Sequence, residues 1–443
     1  MEILLTITYS ALFIFVIHKM DFFVVNGISK RMFSFLFLLK IAFGLILWAI
    51  YTFYYTDRAT ADIYKYFDDS KIIFETLKTK PLHFFQLLFG IGNNSAEFDT
   101  YYSSMNYWAR KVDSNIYNDS HTIIRFNAIM RLFSFGYYNV HTIFVCFLSL
   151  VGLTAIYKTF VTHLQDKKRE LLFVVFLLPS VLFWGSGVLK ESLIFFALGM
   201  LIYHTQKLFS VKSILYCIGA TLLLALSKFY IWIAIIPGLI FIFWISKSSV
   251  KNILLKFTIV FISIATMGLT IDKFTSIQNP LVTLSQKQIE FNQLATGKLF
   301  DSNKKEIAPA KSAIHLSKLE PTLTSFIKNA PQAIVNTLFR PYLWELKSPM
   351  MLFAGFENLL IIAFLVLTLF FIKPLQAIAL QYVLFCLSFV LIQFLIIGET
   401  TPILGAVARY RTIALPFLFI ALLFIIDKEK LLKRIPFLKK FLN

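Results

Sequence analysis

Apolar runs of membrane-spanning length recur along this chain from Met1 to Ile426, and that repetition limits its possible folds more than any other feature. A helix rises about 1.5 Å per residue, so a hydrocarbon core of about 30 Å takes about 20 apolar residues to cross. Candidate spans are 2–18, 32–54, 138–160, 171–187, 190–206, 211–227, 229–245, 253–272, 350–372, 375–397 and 409–426. The expected fold class is therefore all-α, a polytopic transmembrane bundle of about eleven helices. Composition agrees: 58% of residues are hydrophobic and 15% charged, against roughly 45–50% and about 25% in soluble domains.

A net charge of +19 in a soluble protein would suggest nucleic acid. Here lysines and arginines concentrate in short loops between apolar runs, so membrane lipid is the expected partner and nucleic acid is not. Cys146, Cys217 and Cys386 all fall inside apolar runs without metal-like spacing and read as small buried hydrophobes. The opening MEILLTITYSALFIFVIHKMD lacks a basic start and a small-residue cleavage site, and reads as a first transmembrane helix.

Short-loop charge gives the orientation. With the N-terminus outside, the inner loops hold Lys19, Lys30, Arg31, Lys158, Lys167, Lys168, Arg169, Lys207, Lys212, Lys247, Lys251, Lys256 and Lys373, followed by the tail KEKLLKRIPFLKKFLN. The short outer loops hold only Lys190, Lys228, Arg409 and Arg411. The C-terminus is then cytoplasmic. Residues 1–426 form one transmembrane domain with external loops 55–137 and 273–349, and 427–443 form a basic cytoplasmic tail. Ile435, Phe437, Leu438 and Phe441 among its lysines suggest a short helix on anionic lipid.

Helical spacing in the first loop puts Ile63, Phe67 and Phe74 on one face of 62–76, and Asp62, Tyr66 and Asp69 on another. Segments 81–91 and 121–134 are too short to span and read as interfacial helices. The polar stretch LFDSNKKEIAPAKSAIHLSKLEP reads as a partly mobile external segment.

Four outer-face groups carry possible chemistry. In TDRATADIYKYFDDS an ionised carboxylate facing a cleft serves as a general base, although carboxylates outside a membrane helix are commonly just solvated. In PSVLFWGSGVLKES, Lys190 opens a helix behind Gly185 and Gly187, where a phosphate fits. The plainer reading has Lys190 reaching the headgroups and Glu191 suiting the helix dipole. In GETTPILGAVARYRTIALP, Arg409 and Arg411 are read as opening the last helix at its outer N-terminus, as ligands for an anion or headgroups. In LFRPYLWELKSP, Arg340 and Glu345 form either a second anion-recognising edge or a surface pair beside an interfacial Trp344. No phosphate-binding glycine loop, dinucleotide fingerprint, zinc spacing or hydrolase elbow appears.

An acidic, tyrosine-containing first loop with interfacial helices on such a bundle resembles the GT-C superfamily of polyprenyl-phosphate-dependent glycosyltransferases. The series PSVLFWGSGVLKES, RPYLWE and ARYRTIALP resembles membrane proteins of bacterial surface-polysaccharide clusters, including oligosaccharide repeat-unit (O-antigen type) polymerases. The resemblance implies inverting transfer of a sugar from a polyprenyl (di)phosphate to a glycan, lipid or protein acceptor, at the periplasmic face of a bacterial inner membrane. It places the base at Asp62, with Asp57, Asp68 and Asp69 as competitors, and gives phosphate or substrate binding to Tyr66, Lys190, Glu191, Arg340, Glu345, Arg409 and Arg411. It calls for no organic cofactor and leaves a divalent metal open. A lipid-linked sugar flippase or a non-catalytic envelope scaffold are the readings from other classes.

Overall fold

A computed structural model describes residues 1–58, 61–108, 117–207, 210–248, 252–297, 309–346 and 348–439. The described residues are helical with connecting turns and contain no strand, only isolated bridges. Among them, seven helices are long and apolar enough to cross a membrane, or eight if the bent pair Leu404–Ile413 and Leu415–Ile425 counts as one span. The seven are Glu2–Lys19, Lys30–Tyr54, Tyr138–Val161, Phe229–Lys247, Ile253–Lys273, Met350–Phe370 and Ala377–Thr400, each matching an expected span.

The other four expected spans take different forms. Residues 171–187 make no single helix: Lys168–Leu172 runs into a wide turn, Leu178 turns extended (φ −58°, ψ 133°), and a short helix restarts at Pro179–Trp184. Pro179 has no N–H to donate, and its ring forces the residue before it out of helical geometry. Lys190–Thr205 and Val211–Ser227 have 16 and 17 residues, or about 24–26 Å at 1.5 Å per residue, short of a full hydrocarbon core. The last span bends by 57° ahead of Leu415, where Pro416 removes another ladder bond. That bend corrects the placing of Arg409 and Arg411. Arg409 lies in the last turn of Leu404–Tyr410, where a cation suits the helix dipole, and Arg411 sits in the bend before the final helix.

The chain divides into two compact units, residues 1–159 with 181–229, and residues 160–180 with 230–443. In the first unit, helices Tyr138–Val161 and Lys190–Thr205 cross at Gly152 and Gly199. A Cβ on Gly152 would lie 2.1 Å from the Phe195 carbonyl oxygen, and one on Gly199 2.0 Å from that of Gly152. Only glycine lets these backbones approach so closely. Lys190–Thr205 is buried on nearly every side, while its neighbour Val211–Ser227 leaves Ile214, Leu215, Ile218 and Leu222 exposed, an apolar face suited to lipid. The first-loop helices form as expected, at Asp62–Thr79, Pro81–Phe89 and Ser120–Ser134. Asp62–Thr79 buries Tyr66 and Asp69 as well as Ile63 and Phe67, because protein covers both faces.

In the second unit, the Lys167 ammonium donates to the carbonyls of Leu423 (2.5 Å) and Ile426 (2.7 Å), and Lys428 pairs with Glu170 at 2.9 Å. The Asp427 N–H donates to the Phe371 carbonyl at 2.6 Å. Three segments expected inside thus meet at one end of this unit. The tail starts as a helix, Lys428–Arg434, capped by Asp427, and it buries Leu431 and Leu432 against protein, while Phe437, one of the residues expected on lipid, is exposed. Phe441 lies outside the described residues. Around the far end of Ala377–Thr400, the expected external loop contains helices Pro280–Thr296 and Leu323–Phe339. Part of the stretch read as mobile is pinned: the Ile314 N–H donates to the Pro402 carbonyl at 2.7 Å, and Leu404 N–H to Ser312 at 3.0 Å. Its residues 299–308 lie outside the described residues.

Candidate active site around the first loop

Of the four competing aspartates Asp57 is exposed ahead of the helix, while Asp62, Asp68 and Asp69 share helix Asp62–Thr79 and have three different environments. Asp68 points outward and pairs with exposed Arg58, whose Nε and Nη2 donate at 2.8 and 2.7 Å. Asp69 is fully buried, its two oxygens accepting from the main-chain N–H groups of Asn106 and Tyr107, each at 2.7 Å, and from the Asn106 amide at 3.3 Å. Burial holds its carboxyl above the usual range, although those donors pull it down. Asp62 begins the helix half-buried, where an anion suits the dipole, and accepts from the Tyr107 hydroxyl at 2.5 Å. Asp69 and Asp62 therefore hold the two ends of Tyr107. One fixes its backbone and the other takes its phenol.

The same helix carries the link to Lys190. The Tyr66 ring lies 5.3 Å from that of Tyr107, and the Lys190 ammonium lies 5.3 Å from the Tyr66 ring centre. Lys190 opens helix Lys190–Thr205, as the sequence indicated, and donates to Asp119 at 2.7 Å and to Ser120 at 3.2 Å. Lys228, which follows the C-terminal end of Val211–Ser227, reaches the other Asp119 oxygen at 3.5 Å. The Asn118 amide donates to the Tyr107 and Trp108 carbonyls at 2.6 and 3.0 Å, joining the Tyr107 turn to the Asp119 corner. Glu191 is buried one residue further on. A carboxylate, two tyrosines and a pair of lysines on one carboxylate thus form a continuous polar group in the first unit. On one side is the Asp62 carboxylate, on the other Lys190 and Lys228 around Asp119.

Arg131 fastens the base of this group. Its Nε donates to Ser70 at 2.8 Å and its Nη2 to the Phe67 carbonyl at 2.6 Å, and burial pulls its pKa down to about 10.

The second unit gathers the arginines. Arg340 pairs with Glu345 through both carboxylate oxygens and donates to Asn336 at 3.3 Å. Arg411 is fully buried. Its Nη1 donates to the carbonyls of Thr337 (2.9 Å), Leu338 (3.3 Å) and Arg340 (2.9 Å), and its Nη2 to Asn358. The last carbonyls of a helix have no partner within it, so Arg411 caps the end of Leu323–Phe339. Arg409 is half-buried. The expected residues accordingly fall into two groups, Asp62, Tyr66, Asp68, Asp69, Lys190 and Glu191 in one unit, and Arg340, Glu345, Arg409 and Arg411 in the other.

Sequence reading passed over Tyr107, Asp119 and Lys228 as site members. Lys228 carried the same signal as Lys190, a lysine against the charge distribution, and Asp119 stood just ahead of the helical pattern at 121–134. Tyr107 carried none. Among the described residues no group of three or more His, Cys, Asp or Glu is placed to hold a metal ion. Comparison with protein families, curated proteins and solved structures finds nothing that matches this chain.

Proposed function

We propose that this chain is a membrane glycosyltransferase, GT-C-like and inverting, taking its sugar from a polyprenyl (di)phosphate on the periplasmic face of a bacterial inner membrane. The observation that carries this reading is the separation of roles among the first-loop aspartates. Asp68 is engaged by Arg58 and Asp69 by main-chain N–H groups, while Asp62 stands half-buried with its carboxylate oriented by Tyr107. In this reading Asp62 takes the proton from the acceptor hydroxyl as that oxygen attacks the sugar's anomeric carbon. The bond to the lipid phosphate breaks, and the leaving phosphate gathers negative charge that Lys190 and Lys228 offset. Tyr66 positions the Lys190 ammonium between the two. Arg340 and Arg409 are proposed as further anion-recognising groups of the second unit, and Arg411 as the residue that holds their shelf in shape. The proposal includes the eleven-crossing arrangement with the N-terminus outside, in which the shorter and broken helices complete the count.

The test is reconstitution of the purified protein in liposomes with a labelled polyprenyl-diphosphate sugar and an oligosaccharide acceptor. A transferase releases the lipid (di)phosphate only when acceptor is present. A flippase would move the donor between leaflets without release, and a scaffold would do neither.

A further inference from the structure

Lys40 lies ten residues into the apolar helix Lys30–Tyr54, and the proposed reaction does not use it. The residue is 1% exposed, and among the described residues its ammonium nitrogen has no hydrogen-bond partner. Five hydroxyls of the first unit likewise lack a partner among the described residues, those of Thr6 and Ser227 and the three that matter here, Thr142, Ser149 and Ser186. Their register brings them together. A Cβ on Gly44 would lie 2.5 Å from the Thr142 methyl and 2.6 Å from the Ser186 carbonyl oxygen. One turn earlier on the same helix comes Lys40, and one turn later on the partner helix comes Cys146. The Cys146 thiol lies close enough to act electrostatically on the Lys40 charge, and it donates to the Ser186 carbonyl at 3.3 Å. Ser149 lies on the same face of that helix, three residues beyond Cys146.

The chemistry of this group is one-sided. It offers an ammonium, three hydroxyls and a thiol, and neither Lys30–Tyr54, Tyr138–Val161 nor residues 181–189 contain an Asp or Glu. An ammonium taken out of water without a partner is costly, and unpartnered buried hydroxyls add to that cost. A carboxylate is the usual remedy, and these three segments supply none. The close approach at Gly44 leaves no room for a large ligand.

We infer that Lys40, Thr142, Ser149 and Ser186 enclose a site for a small monovalent anion of the halide type, held inside the membrane-spanning part of the first unit. A halide accepts from every donor present and neutralises the ammonium. This site is independent of the transferase reading.

Thermal unfolding of the full-length protein in detergent tests it, with sodium chloride replaced by sodium gluconate at equal ionic strength. The expected result is a Tm that rises saturably with chloride, a response lost in Lys40→Met and weakened in Ser186→Ala, the milder change should the lysine variant fail to fold. Crystals grown in bromide should show an anomalous peak beside the Lys40 ammonium. An equal Tm in chloride and gluconate, or a chloride response that survives both substitutions, overturns the inference. The first outcome makes Lys40 a neutral amine, and the second puts the chloride effect on the surface.

Discussion

Replacing Asp69 with alanine separates a residue that places Tyr107 from one that reacts. The substitution removes the acceptor for two main-chain N–H groups and one side-chain amide. A buried donor left without a partner costs about 1–3 kcal/mol. Asn106 is exposed and its donors recover water, whereas Tyr107 is half-buried. The loss therefore falls mainly on the Tyr107 N–H, at about 2 kcal/mol. A loss of one or two kcal/mol changes a local opening equilibrium by a factor of about 5–30. Hydrogen exchange read by mass spectrometry on a peptide covering 104–108 should accelerate by that factor, while peptides from Lys190–Thr205 stay protected. Asp68→Ala is the control, because an exposed pair such as Arg58–Asp68 contributes at most about 1 kcal/mol. Unchanged exchange at Asn106 and Tyr107 in Asp69→Ala, or equal acceleration in Asp68→Ala, would refute the reasoning.

Three further outcomes follow from the same geometry. Arg411→Ala strands the carbonyls of Thr337, Leu338 and Arg340 with Asn358, so unfolding in detergent should show a loss of about 1–3 kcal/mol; unchanged stability would make Arg411 a ligand residue alone. Burial pulls the Lys167 ammonium down to about 8 from 10.5. Between those values the unfolded chain binds more protons than the folded one, so stability should rise with pH across that window relative to Lys167→Met, and a flat difference would contradict it. A reporter active only outside the cytoplasm should be bright when fused after Thr400 and dark after Lys168, and the reverse pattern would invert the orientation.

What the sequence disclosed about the fold follows from what apolar periodicity encodes. Long unbroken runs such as Tyr138–Val161 and Ala377–Thr400 emerged at nearly the expected bounds, because hydropathy alone determines them. The broken segments did not. Hydropathy averages across Pro179 and Pro416, while the backbone responds to each missing N–H, so 171–187 and 409–426 looked continuous. The orientation of Arg409 against its helix was misjudged for the same reason. Of the group around Asp62, the sequence singled out Lys190 as a cation against the dipole and the charge distribution, and Asp62 and Tyr66 by the helical spacing that puts them on one face. The ranking of the aspartates was not legible. It depends on Asn106 and Tyr107, which lie 37 and 38 residues from Asp69 and reach it only through tertiary folding. Lys40 was passed over in the apolar run 32–54, and its lack of a partner among the described residues is a property of the packed helices.

The central claim is that Asp62 is the general base, and Asp62→Asn in the reconstituted transfer assay tests it most directly. The change removes the proton acceptor while nearly preserving volume, and the side-chain oxygen can still accept from Tyr107. Transfer should fall by about 10²–10⁴-fold with folding and donor binding retained. Full activity in Asp62→Asn, with the protein still dependent on acceptor for lipid-phosphate release, would contradict the assignment.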